Sequence, residues 1–166
     1  MTGRKNAVLD LTNTIDSVGV LRSLFEATKG KGEGRIKCTI TKHRLAKTAI
    51  LLGITLLLKR SPEVSLKLIE KWAPLRKPLR GKKGSKRLVR TELVLECSST
   101  QGLLEGVDKV WKSISGAVSH RRITKACLCL GLDSLSKIDS GKVRLLVSKL
   151  SPVQRKYWDE ELGQWL

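Results

Sequence analysis

Apolar residues recur every three or four positions along most of this chain, which is the spacing of one face of a helix. From Asn13 to Thr28 the positions Ile15, Val18, Leu21, Leu24 and Phe25 share such a face, with Thr12 or Asn13 placed to cap it and Gly30, Gly32 and Gly34 to end it. A second helix is expected from Thr41, as its cap, through Lys59. Leu45, Ala49, Leu52 and Leu56 form its stripe, and Ile50, Leu51, Ile54, Leu57 and Leu58 widen it. A helix apolar on most sides belongs in the middle of a core, and Gly53 within it allows a close neighbour at a cost of about 1 kcal/mol relative to Ala.

"SPEV" at Ser61–Val64 opens a third helix, with a Ser cap, Pro at the first helical position and Glu in the first turn; Val64, Leu68 and Trp72 share a face, and Pro74 and Pro78 stop it. Further on, Ser99 or Thr100 caps a helix running to about Val118, with Leu103, Leu104, Val107, Val110, Trp111 and Ile114 inward. Arg121–Leu132 fits a short helix or a buried strand, and helix is the reading adopted. Gly141–Leu150 is amphipathic, and "SPVQ" at Ser151–Gln154 reads as the start of a last helix carrying Tyr157, Trp158 and Leu162.

Two stretches alternate instead. In Arg35–Lys42, Ile36, Cys38 and Ile40 face one way and Lys37, Thr39 and Thr41 the other. In Leu88–Cys97, Val89, Thr91, Leu93, Leu95 and Cys97 oppose Arg90, Glu92 and Glu96. Paired antiparallel, these would form a small ribbon with Lys37 opposite Glu92 or Glu96. The expected architecture is α+β and predominantly helical: about six helices with a two-stranded antiparallel ribbon, in one domain spanning 1–166. A short basic tail (1–6) and a basic loop (74–87) belong to it.

Composition changes this picture in one respect, the sign of the surface. Over 166 residues, 33 Lys and Arg stand against 15 Asp and Glu, a net charge of +18. Repulsion on that scale destabilises a compact state unless a partner of opposite charge neutralises it. The positive residues are also grouped. No acidic residue interrupts Lys71–Thr91, which contains "RKPLRGKKGSKRLVR"; a second group, Lys29, Lys31, Arg35, Lys37, Lys42, His43, Arg44 and Lys47, is opposed only by Glu33; a third is His120, Arg121, Arg122 and Lys125. Phosphate backbones are bound by Lys and Arg with little geometric demand, each contact releasing counterions. "RGKKGSKR" at Arg80–Arg87 also has the form of a nuclear-import cluster. If the two alternating stretches pair, Arg87 and Arg90 come close to Lys42 and Arg44 and make one continuous patch.

Other chemistry finds little footing in the sequence. Cys127-x-Cys129 lacks the separation of a zinc pair, Cys38 and Cys97 stand far off, and His43 and His120 are isolated, so free thiols and no metal are expected. "GKGEG" at Gly30–Gly34 lacks the spacing of a phosphate loop, and no nucleophile–base set stands out, so no enzyme activity and no cofactor are expected. Trp72 and Trp111 lie on apolar faces and read as core. The longest apolar run, Ala49–Leu58, is about half the length that crosses a bilayer. With no apolar core after the charges of Met1–Asp10, a nuclear or cytoplasmic setting is expected. Abundant Leu and Ser beside a single Met, Phe and Tyr fit a reading frame under outside constraint, such as an overlapping gene in a compact viral genome.

The functional expectation is a non-enzymatic nucleic-acid-binding protein, with RNA favoured, gripping phosphates with little sequence preference. Lys82, Lys83, Lys86, Arg87 and Arg90 are the central contacts, supported by Arg76, Arg80, Lys42 and Arg44. The alternatives are a peripheral, matrix-type assembly protein on anionic lipid, or a binder of acidic proteins. The apolar Ala49–Leu58 helix leaves room for a homo-oligomer.

Overall fold

The computed structural model describes residues 6–10, 17–28, 40–74, 92–96, 102–150, 158–159 and 164–165. Within them lie six helices: α1 (Ser17–Thr28), α2 (Lys42–Leu58), α3 (Pro62–Trp72), α4 (Leu103–Ser113), α5 (His120–Ser136) and α6 (Ser140–Leu150). Four short strands accompany them: β1 (Asn6–Asp10), β2 (Glu92–Glu96), β3 (Trp158–Asp159) and β4 (Gln164–Trp165). The described residues are mostly helical, as the periodicity predicts.

Local chemistry sets several of the boundaries. Thr41 is the N-cap of α2, its Oγ1 accepting the Arg44 amide at 3.2 Å. Ser61 caps α3 through the Val64 amide, with Pro62 at the first helical position, as the "SPEV" signature predicts. Ser119 caps α5 through the Arg122 amide. The segment read as helix or strand is a helix of 17 residues, starting one residue earlier than Arg121 behind this cap and running four residues past Leu132.

α2 and α5 form the central pair. Leu45, Ile50 and Leu57 of α2 and Ile123, Leu128, Leu132 and Leu135 of α5 are fully buried, joined by Ile69 of α3, Leu103 and Val110 of α4 and Val143 of α6. The two helices touch through backbone. A Cβ added at Gly53 would lie 2.6 Å from the Cα of Cys127, and one at Gly131 would lie 2.7 Å from the Cα of Ala49. Each helix thus sets a glycine against the other's backbone, four residues beyond its own small contact residue. Because position 49 meets 131 while 53 meets 127, the helices run antiparallel. α1, α4 and α6 pack on α2, and α1, α3, α4 and β1 on α5.

Three expectations need correction. The ribbon expected between Arg35–Lys42 and Leu88–Cys97 is not shown. Residues 35–39 lie outside the described residues, Ile40 and Thr41 are not in a strand, and Lys42 opens α2. β2 pairs instead with β1, antiparallel, placing Leu9 opposite Leu93 and Asp10 opposite Glu92. Leu9 enters the core and Leu93 packs against it, so the pairing buries apolar surface on one face of the ribbon. The helix expected to reach Val118 stops at Ser113, because the Gly116 amide bonds the Trp111 carbonyl at 2.9 Å and the Ser115 amide that of Lys112 at 3.1 Å. This is a Schellman ending, and Ser115 (φ 56°) and Gly116 (φ 67°) both take the left-handed conformation. Trp158 and Asp159, expected in a last helix, pair with Trp165 and Gln164 as an antiparallel bridge.

α3 also buries a different face from the one its periodicity suggests. Ser65, Ile69 and Ala73 point inward, while Val64 is exposed and Leu68 and Trp72 are half-buried. Two polar contacts hold that rotation. The buried Ser65 hydroxyl donates to the Leu57 carbonyl at the end of α2 (2.9 Å), and Arg122 Nε donates to the Ala73 carbonyl (3.0 Å).

Candidate functional site

A helix start carries partial positive charge, so acidic residues normally populate the first turn. Both central helices invert this rule. α2 begins Lys42-His43-Arg44 after its Thr41 cap, and α5 begins His120-Arg121-Arg122 after its Ser119 cap; neither first turn holds an acidic residue. No Asp or Glu occurs between Glu33 and Glu63, or between Asp108 and Asp133. Each end therefore adds side-chain cations to a positive helix terminus, an arrangement that favours a bound anion.

Because α2 and α5 are antiparallel, the two basic starts lie at opposite ends of the pair. A 17-residue helix is about 25 Å long, so the separation is roughly 20 Å or more. At the α2 end, Lys42 is exposed with its Nζ 5.4 Å from the Phe25 ring centroid, and His43 is exposed. Arg44 is half-buried, and Lys47, one turn further, is buried.

At the α5 end, Arg122 bridges to α3: Nη2 meets Glu70 Oε2 at 2.7 Å while Nε holds the Ala73 carbonyl. Ala73 and Pro74 are the last described residues before the dense basic run that begins at Arg76, so the third basic group adjoins the chain just ahead of that run. Lys71 stands there too, exposed, its Nζ 5.2 Å from the centroid of Trp72. Arg121 projects into solvent between the α3 contact of Arg122 and the α4 contact of His120.

Of the residues singled out from the sequence, Lys42 and Arg44 occupy the α2 start together. Arg76, Arg80, Lys82, Lys83, Lys86, Arg87 and Arg90 lie outside the described residues. The pairing expected to bring Arg87 and Arg90 toward Lys42 and Arg44 is replaced by the β1–β2 register, in which Glu92 faces Asp10. The two basic helix starts thus stand apart, and further described cations, among them Arg22, Lys67, Lys109 and Lys142, lie on α1, α3, α4 and α6.

One cluster escaped the sequence reading. His120 stacks on Trp111, ring centroids 5.0 Å apart and planes 21° from parallel. Its Nε2 lies 3.4 Å from Asp108 Oδ1, and Asp108 Oδ2 also takes Lys112 Nζ at 3.0 Å. Hydrogen bonds from Lys112 and then His120 hold the Asp108 carboxyl below its ordinary pKa. Trp111, expected in the core, is only half-buried. The signal in the sequence was Gly116, which closes the turn that folds His120 back over α4.

Cys127 and Cys129 are buried free thiols. Burial is the main cause that pushes the Cys129 thiol up to about 11, and it pushes Cys127 higher still. Among the described residues no group of His, Cys, Asp and Glu could hold a metal ion, and no helix is long and apolar enough to cross a membrane. No protein-family model, no curated protein and no solved structure matches this chain.

Proposed function

We propose that this is a non-enzymatic nucleic-acid-binding protein, with RNA the favoured ligand, that grips phosphates and reads little sequence. The observation that carries this reading is the pair of basic helix starts, Lys42-His43-Arg44 and His120-Arg121-Arg122, without a carboxylate in either first turn. Such turns cost helix stability in the free protein and regain it when an anion binds, so they favour the bound state. The net charge of +18 and the uninterrupted basic stretch add the long-range attraction. Lys82, Lys83, Lys86, Arg87 and Arg90 supply the central contacts, with Arg76, Arg80, Lys42 and Arg44 in support.

Fluorescence anisotropy with a labelled oligoribonucleotide across a salt series tests this. If half to all of these nine cations meet phosphates of a single strand, log affinity falls against log salt with a slope of roughly −3 to −6. Purified protein should also carry excess absorbance at 260 nm that high salt removes. A flat salt response and a clean ultraviolet spectrum would overturn the proposal. Capture by anionic vesicles that RNA does not displace would favour a membrane ligand in its place.

A further inference from the structure

We infer that the outer face of His120 is a stacking platform for an unpaired base, so that the ligand at the α5 end is single-stranded RNA. This rests on the nucleic-acid reading above and makes it more specific.

Three layers build the platform. Gly116 closes the Schellman turn against the Trp111 indole, where a Cβ would lie 2.9 Å from Cζ2 and its backbone takes a φ of 67°. The indole in turn carries the imidazole of His120, nearly parallel and 5.0 Å away. Asp108 holds one imidazole nitrogen at 3.4 Å and so limits rotation of the ring. The His120 side chain is nevertheless 52% exposed. An aromatic ring fixed on one side and open on the other can take a further ring without first losing its own rotational freedom.

The surroundings suit a nucleotide. Arg121 follows His120 and is exposed; Lys112, 70% exposed, is anchored to the same Asp108; and Lys109 is exposed on the same helix, α4. A base on the imidazole would place its phosphates within the field of these cations. Bases in a duplex already stack on each other and offer no free face, so a platform of this kind separates single strands from duplexes where phosphate contacts alone do not.

The test uses the full chain, a labelled single-stranded oligoribonucleotide and the duplex of the same sequence. His120→Leu keeps Trp111 covered but removes the aromatic face; Ala would uncover the indole and leave a second ring available. The expected result is about 5- to 150-fold weaker binding to the single strand, the range for loss of one stacked base, with less than about twofold change on the duplex. His120→Phe, which restores an aromatic face without the imidazole nitrogens, should return single-strand affinity to near the parent value. Replacing Lys82, Lys83, Lys86 and Arg87 with Glu should weaken both ligands. Equal loss on both ligands for His120→Leu, no loss on either, or failure of His120→Phe to rescue would each overturn the platform while leaving the phosphate reading in place. A parent protein that binds neither RNA would overturn the phosphate reading itself, and the platform with it.

Discussion

Gly131 of α5 lies against the backbone of Ala49 in α2, so close that a Cβ at position 131 would stand 2.7 Å from the Ala49 Cα. Gly53 of α2 makes the reciprocal approach to Cys127. The two contacts set how near the central helices come, and therefore the thickness of the core packed around them.

Substitution at these sites should test that relationship against helix propensity, which points the other way. Gly→Ala in an exposed helix stabilises by about 1 kcal/mol. Here the added methyl meets backbone, which cannot rotate aside, and overpacking of this kind costs about 1–3 kcal/mol or more. Gly131→Ala and Gly53→Ala should each lower urea stability by about 2 kcal/mol. Gly106→Ala should cost less, because its nearest obstacle is the Ile54 side chain at 3.0 Å, which can shift. A Gly131→Ala protein as stable as the parent would contradict the close crossing.

The turn between α4 and α5 contains an improvable position. Ser115 holds a left-handed φ of 56° at the residue where helices usually end in glycine. An L-residue pays about 1–2 kcal/mol for that conformation, partly offset by the greater freedom of glycine in the unfolded chain. Ser115→Gly should raise stability by about 0.5–1 kcal/mol, seen as a melting temperature higher by about 1–4 °C. An unchanged or lower melting temperature would show that Ser115 is not strained.

Alkaline pH should destabilise the protein through its buried thiols. A free thiol ionises near pH 8.5, whereas Cys129 in the folded protein ionises at about 11 and Cys127 higher. Below about pH 8.5 both thiols are protonated whether the chain is folded or not. Above it the unfolded chain releases its protons first, so the unfolded state is favoured and stability falls as pH rises toward 11. The slope approaches about 1.4 kcal/mol per pH unit for each thiol. Urea titrations at pH 8, 9 and 10 should show this fall, and the Cys127→Ala, Cys129→Ala double variant should show it less. Equal slopes for the two proteins would remove the thiols as its cause.

Arg122 and Glu70 share an ion pair but should differ in weight. Arg122 is mostly buried and also donates to the Ala73 carbonyl, whereas the Glu70 side chain is 63% exposed. Arg122→Ala loses both contacts and should cost about 2 kcal/mol. Glu70→Ala loses only a screened surface pair and should cost less than about 1 kcal/mol. Equal costs would mean that the carbonyl contact contributes nothing to the α3–α5 junction.

The helices were legible in the sequence because the signals that make them are local. Thr41 and Ser61 each cap within three residues, Pro62 starts a helix by its own ring geometry, and the spacing of Val107, Val110 and Ile114 marks a buried face without reference to any neighbour. The excess of positive charge was equally plain, being a property of composition, and the Lys42–Arg44 and His120–Arg122 groups could be picked out by eye.

Only the tertiary structure decided which surfaces meet. Nothing within β2 says that its partner is Asn6–Asp10 and not Arg35–Lys42, because an alternating strand can pair with any other that offers apolar residues in register. The rotation of α3 depends on Leu57 and Arg122, distant in sequence from the residues they hold. The stack of His120 on Trp111 exists only because Ser115 and Gly116 turn the chain back between them. Secondary structure follows from contacts within a turn, where few alternatives compete. Partner choice follows from the total apolar surface buried by the whole chain, to which each segment contributes only a share.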